Sequence, residues 1–294
     1  MKMRTSSKPS LNRRHLLQAS VACAAGMAIG QRFATAAESV AEPGIALQLY
    51  SIRDDCAKDF DAALAWCAET GFDAVEFAGY HSYSGKADAL KKRLDQLGLK
   101  VAATHIGTAT LIGDALTQTI DFHQAIGCKY LVVPGDGRFS KPDGSKELAE
   151  IFNVAAENLK PHGMKCGYHN HTHEFEKEGD KTYWELFAER TVKDVVLQQD
   201  VGWTTAAHVD PVKMIRQYPG RSQVIHCKPT VVDGQGKAIL GQDTVKWEPI
   251  FEACLEVGDT EWYTVEQERY PDGKSPMECT ALSLAGLKKI LGRS

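Results

Sequence analysis

Val195-Val196-Leu197-Gln198-Gln199-Asp200 is a short apolar run that ends in a carboxylate. Runs of four to eight residues rich in branched aliphatics, bounded by turn signals, are buried strands. The same design recurs at 45–50, 74–77, 101–105, 130–133, 166–169, 224–226 and 263–266. Helical apolar periods lie between these runs, at 59–68, 86–97, 111–126, 146–160, 182–189, 211–218, 248–257 and 277–291. Several stop at a glycine (Gly71, Gly98, Gly127), the residue that takes the left-handed conformation after a last helical turn. Eight strand–helix pairs in succession predict a parallel sheet with crossover helices. An open doubly wound sheet competes for this pattern. Polar residues at nearly every strand end favour a single closed (β/α)8 TIM barrel, whose strand ends all face one mouth.

Four of the runs end in His169, Asp200, His226 and Glu266. A lone polar residue at a strand end usually caps a loop. Four at equivalent positions on four consecutive strands form a candidate divalent-metal site of two imidazoles and two carboxylates. Because side chains alternate along a strand, His171 shares a side with His169, Lys228 with His226, and Glu268 with Glu266. Glu76, His105 and Pro134 occupy matching strand-end positions. The dense run His169-Asn170-His171-Thr172-His173-Glu174 offers Glu174 as a spare ligand or base if its loop folds back. Among the tryptophans, Trp203 alone is placed to meet a substrate.

The run Gly167-Tyr168-His169-Asn170-His171 with Glu174-Phe175, together with Asp200-Val201-Gly202-Trp203, His226, Lys228 and Val265-Glu266-Gln267, resembles the xylose isomerase-like TIM barrel superfamily, and within it the sugar phosphate isomerase/epimerase group. The resemblance implies one divalent ion, manganese first, with magnesium, cobalt or zinc as other choices. It would be held by a Glu, an Asp, a His and a Glu from strands five to eight. Asp200, His226 and Glu266 match in type, whereas the fifth-strand Glu is His169 here and a second-site His is Trp203. Epimerases of this kind use paired glutamates on opposite faces of the sugar, so His169 puts that pair in question. An imidazole still transfers protons near neutral pH.

The expected activity is metal-dependent isomerisation or epimerisation of a keto-sugar by proton abstraction next to its carbonyl. Glu266 or His169 would move the proton, and His105 and Lys228 would stabilise oxygen charge. Glu76, His171, Trp203 and Glu268 would bind the sugar. Two alternatives are a lyase or dehydratase acting on 3-keto-sugars or 3-keto-glycosides, like inosose dehydratases, and a non-catalytic sugar-binding barrel. The partner is a small sugar, with a homo-oligomer open. Gly-rich stretches at 136–145 and 229–246 are lid candidates.

The first 36 residues are set apart from the barrel at 37–294. Asn12-Arg13-Arg14-His15-Leu16-Leu17, a short apolar stretch and Ala34-Thr35-Ala36 have the order of a secretory signal and resemble the twin-arginine type. They predict export to the periplasm, and the apolar stretch is too short to stay in a membrane. Without this segment the chain carries 28 bases against 38 acids, a net charge of −10. That excess of acid argues against nucleic acid and anionic membranes as partners, and so against a DNA endonuclease on the same barrel. Seven cysteines remain at uneven spacing, as expected of buried thiols rather than a disulfide framework.

Overall fold

The computed structural model describes residues 42–293, so the expected signal segment lies outside the described residues. Eight parallel strands form the sheet: β1 (Gly44–Gln48), β2 (Ala74–Phe77), β3 (Lys100–His105), β4 (Tyr130–Val133), β5 (Lys165–His169), β8 (Val196–Gln198), β9 (Val224–Cys227) and β10 (Trp262–Val265). β6 (Lys177–Glu178) and β7 (Lys181–Thr182) form a small antiparallel hairpin that the sequence pattern does not predict. The hydrogen-bonded order is β8-β5-β4-β3-β2-β1-β10-β9. One bridge, Asp200 to His226, joins the two ends of that order into a barrel. Backbone bonds from Leu197 N–H to Arg221 O (2.8 Å) and from His226 N–H to Gln199 O (3.0 Å) line the same seam.

The surrounding helices are α1 (Arg53–Lys58), α2 (Phe60–Thr70), α3 (Ala87–Leu97), α4 (Gly113–Ala125), α5 (Pro142–Leu159), α6 (Tyr183–Arg190), α7 (Val201–Ala206), α8 (Pro211–Gln217), α9 (Trp247–Ala253) and α10 (Pro276–Ile290). Local chemistry sets their ends. Gly71 closes α2 at φ 94°, while reciprocal capping boxes of Thr182 with Glu185 and Ser275 with Glu278 start α6 and α10. Leu47, Val75, Phe77, Leu131 and Ile225 pack outward with the helices in the main core. Ala46, Ala74, Val132, Val196 and Val224 belong to smaller clusters that Trp262 packs against. The alternation then assigns Gln48, Glu76, Gln198, His226 and Glu266 to the same side of their strands as these small residues.

Several expectations change. The helix expected at 146–160 begins at Pro142, a favoured first helical residue. The stretch 136–145 is thereby shortened, and it is tied down by the Asp136–Arg138 pair and the buried Phe139. In the other lid candidate, Ala238, Ile239 and Leu240 are buried, and Gln267 Nε2 donates to Ala238 O at 2.6 Å. The seven cysteines from Cys56 to Cys279 are all buried and unbridged. Among the described residues, no helix is long and apolar enough to cross a membrane.

Candidate metal centre

The four strand-end donors come together. Ligand-capable atoms of His169, Asp200, His226 and Glu266 all lie within 4.8 Å of one another, and all four residues are buried. Asp200 starts α7, and its Oδ1 accepts the Trp203 N–H at 2.7 Å. Its other oxygen, Oδ2, is buried without a hydrogen-bond partner. It stands 3.9 Å from His169 Nε2 and 4.0 Å from both His226 Nδ1 and Lys228 Nζ. A buried carboxylate oxygen is costly to leave unpaired. Standing amid other donors, it fits a cation better than a packing role. Gly202 lets α7 approach this closely, since a Cβ there would meet Lys228 O at 2.5 Å.

A second set of residues orients the donors. Glu76 is fully buried, and its carboxylate receives Gln48 Nε2 (2.9 Å) and Gln198 Nε2 (3.1 and 3.0 Å). It also contacts His226 Nε2 (2.9 Å) and His105 Nε2 (2.8 Å). With Nε2 of His226 turned to a carboxylate, its Nδ1 is free to face Glu266 Oε2 at 2.9 Å. Gln198 Oε1 lies 3.1 Å from His169 Nδ1, so that nitrogen carries the proton and Nε2 presents its lone pair to the Asp200 side. Fixing the tautomer of a metal-binding histidine in this way is the usual task of outer groups. His105 joins the network through Nε2, 2.9 Å from Gln198 Oε1.

The electrostatics follow from burial and mutual charge. Burial opposes charge on His226, but Glu76 and Glu266 outweigh it and raise its imidazolium to about 10. Burial and the neighbouring His226 push His169 well down, so it is neutral. Burial likewise raises Asp200 despite Lys228. For Glu266, Lys228 and His226 overcome burial and hold the carboxylate well below its usual range. Lys228 Nζ lies 3.3 Å from Glu266 Oε2 and pairs with Glu268.

A cavity of about 540 Å³ opens above the donors, with His105, His169, His171, Glu266, Glu268 and Tyr50 in its wall. His171, brought down to about 4 by burial, is a neutral imidazole there. Glu76 is not in the wall of this cavity, and its oxygens are engaged by side chains. Glu174 stands apart from the four donors. Its Oε2 accepts the His171 N–H at 2.7 Å, its Oε1 lies 2.9 Å from His173 Nε2, and it falls outside the four-residue cluster. Trp203 lines a neighbouring cavity instead. The sequence reading does not single out Gln48, Gln198 or Tyr50. Gln198 sits two residues before Asp200 on the same strand face, but a neutral amide there carries no signal of its own.

The chain matches a known family. The model of the xylose isomerase-like TIM barrel matches residues 64–290. The chain belongs to this family. An inosose dehydratase from Clostridium botulinum is 25% identical over 260 residues, covering 74% of this chain and 85% of that protein. One from Lacticaseibacillus casei is 26% identical over 258 residues, with 71% and 85% covered. A solved sugar phosphate isomerase/epimerase from Parabacteroides distasonis has a TM-score of 0.71 at 28% identity, covering 85% of this chain and 95% of its own. The IOLI protein, solved with a binding zinc atom, shares the fold at 14% identity and a TM-score of 0.62, with 85% and 98% covered.

Proposed function

We propose that the chain is a divalent-metal-dependent enzyme that removes a proton next to the carbonyl of a polyhydroxylated ketone, followed by loss of a neighbouring oxygen substituent. The observation that carries the metal is the partnerless Asp200 Oδ2 amid His169 Nε2, His226 Nδ1 and Lys228 Nζ. His169, Asp200, His226 and Glu266 would hold the ion. Two imidazoles with two carboxylates suit manganese, magnesium, cobalt or zinc better than copper(I) or an iron–sulfur cluster. When bound, the ion supplies Lewis acidity toward a substrate oxygen.

The remaining chemistry belongs to side chains. Glu266, kept ionised by Lys228 and His226, accepts the proton. His105 and His171 face the cavity and orient hydroxyls. The Lys228 ammonium, beside Glu266 and Glu268, stabilises negative charge on the departing oxygen.

Elimination is favoured over epimerisation by the donor set. Epimerisation reprotonates from the opposite face and so uses a second acid or base there. His169 stands where the second glutamate would be, neutral and with Nδ1 tied to Gln198. The curated relatives named inosose dehydratases agree with elimination. Isomerisation on one face is the second reading, supported by the isomerase/epimerase from Parabacteroides distasonis. The twin-arginine pattern at 12–17 supports an exported site of action. The test is incubation of keto-sugars with the manganese-loaded protein in heavy water, followed by NMR. An unsaturated product marks elimination, and solvent deuterium in recovered sugar marks proton transfer. Turnover that survives complete chelation would sink the metal-dependent reading.

A further inference from the structure

Glu266 stands one residue past the end of β10, whose register with β1 and β9 stops at Val265. Its own N–H reaches Cys227 O at 3.3 Å, longer than the usual value of about 2.9–3.0 Å. The next residue, Gln267, is fully buried. Alternation turns it outward, opposite to Glu266 and Glu268. Its N–H donates to Ser51 Oγ at 2.9 Å, next in sequence to Tyr50 of the cavity wall. Its Oε1 accepts the Ser283 hydroxyl of α10 at 2.6 Å, and its Nε2 donates to Ala238 O at 2.6 Å and to Arg269 O. Both N–H groups of the amide and its oxygen are engaged, which fixes one orientation of the side chain. Ser283 Oγ in turn receives Leu240 N–H at 3.2 Å. At Gly286, about one turn further along α10, a Cβ would meet Leu240 O at 1.9 Å. The stretch 238–240 is therefore seated on α10 by close backbone approach as well as through Gln267.

We propose that Gln267 is the positioning residue for Glu266, an outward anchor that holds the inward carboxylate at the cluster of donors. Its bearing on the ion rests on the metal-dependent reading above. Glu266 Oε2 lies 2.9 Å from His226 Nδ1 and 3.3 Å from Lys228 Nζ. Both attractions come from the β9 side of β10. Ser51 follows β1, the neighbour of β10 on its other edge, and Ser283 and Ala238 lie behind it. The anchor thus restrains Glu266 from the directions its charged neighbours do not. Rotation of the extended segment about its own axis would swing Glu266 and Glu268 together, and the bonds of Gln267 oppose that rotation. The residue type follows from the task. A glutamine carries two donors and an acceptor on a stem long enough to reach two carbonyls and a hydroxyl. A glutamate there would set a carboxylate oxygen against Ala238 O and Arg269 O.

The test separates positioning from general support. Gln267→Met keeps the length of the side chain and removes its hydrogen bonds. In crystals of the metal-free variant, Glu266 Oε2 should leave His226 Nδ1 by about 1 Å or more, a misplacement large enough to matter at a reacting group. Zinc serves as the probe of affinity in calorimetry, because the two imidazoles still favour it when a carboxylate is lost. Its affinity should fall about ten- to hundredfold. The same substitution should cost less than about twofold in a Glu266→Gln background, and the full factor in His169→Asn. Loosening of the whole fold would cost the same in both. Ser283→Ala, which removes the hydroxyl bonded to Gln267 Oε1, repeats the measurements if Gln267→Met fails to fold by circular dichroism. A folded variant that keeps Glu266 beside His226 or keeps wild-type zinc affinity overturns the proposal, as do equal losses in the two backgrounds. Failure of both variants to fold also overturns it, since Gln267 would then support the barrel as a whole. If the wild type binds no zinc, the metal reading falls, while the crystal distance still decides the positioning.

Discussion

The two halves of the barrel contribute different things to one centre. Strands β1 to β3 deliver Gln48, Glu76 and His105, which touch one another or the donors of other strands. The donors themselves, His169, Asp200, His226 and Glu266, come from β5 and the ends of β8, β9 and β10. On the proposed metal reading, the candidate ligands all come from the second half, while their orienting groups come from the first half and from Gln198 on β8, so changes in the two sets should fail in different ways.

The largest effect is expected in the donor half. Asp200→Asn keeps an Oδ1-type cap for the Trp203 N–H but removes the charge on the partnerless oxygen. It should abolish stoichiometric metal, measured by elemental analysis after dialysis, together with turnover. Glu266→Gln probes the same donor set from another strand. If it leaves sugar affinity unchanged in a protein that carries no ion, a non-catalytic sugar-binding barrel becomes the better description.

The next effect concerns the seam beside the donors. Arg221 is 4% exposed and donates to Val195 O (2.8 Å), Ala188 O (2.7 Å) and Thr191 Oγ1 (2.7 Å), while its own carbonyl receives Leu197 N–H. The guanidinium thus latches the start of β8 and the end of α6 to the segment before β9, beside the Asp200–His226 bridge and the two backbone bonds that close the sheet. Hydrogen bonds from a charged donor are worth about 1.5–3 kcal/mol each, and removing the donor strands buried carbonyls. Arg221→Met should cost about 3 kcal/mol and lower Tm by about 6–12 °C for a chain of this size. Thermal unfolding followed by circular dichroism checks it. An unchanged Tm would show that the seam is not a weak point.

The orienting half should be gentler. Glu76→Gln keeps the shape but turns an acceptor for four side chains into a mixed group. Outer-group changes typically cost 10–100-fold in metal affinity, and that range is expected here with the fold intact. If KM for the sugar rises while metal affinity holds, Glu76 meets substrate after all, and the contrast between the halves collapses.

This contrast also marks what is legible in the sequence. The eight runs and their periodic helices are local signals, and the barrel follows from them. The donors are legible because charge at a strand end is conspicuous. Gln48 and Gln198 are not, because a neutral amide at a strand end carries no such signal. Their importance lies in a contact between residues far apart in sequence (Gln198 with Glu76). Glu76 stands out in the sequence but its role does not, since parity gives the side of the strand and not the depth in the barrel. The Trp203 cavity depends on α7, a helix of six residues too short to show a period.

The smallest effect separates the two histidines within the donor half. His226 keeps its proton through neutrality because Glu76 and Glu266 outweigh burial, whereas burial leaves His169 already neutral. A donor must shed its proton before it can bind an ion. For His226, with a pKa raised to about 10, protons compete with the cation across the whole neutral range. Metal affinity should therefore rise with pH between about pH 6 and 8, by about tenfold per unit for each proton released. Asp200, raised by burial, adds to the slope wherever it too is protonated. His226→Asn should lose one proton from that slope, while His169→Asn should weaken binding and leave the slope intact. Calorimetry in buffers of different ionisation enthalpy counts the protons directly. Equal slopes in both variants would mean that the two imidazoles share the proton, and that Glu76 does not distinguish them.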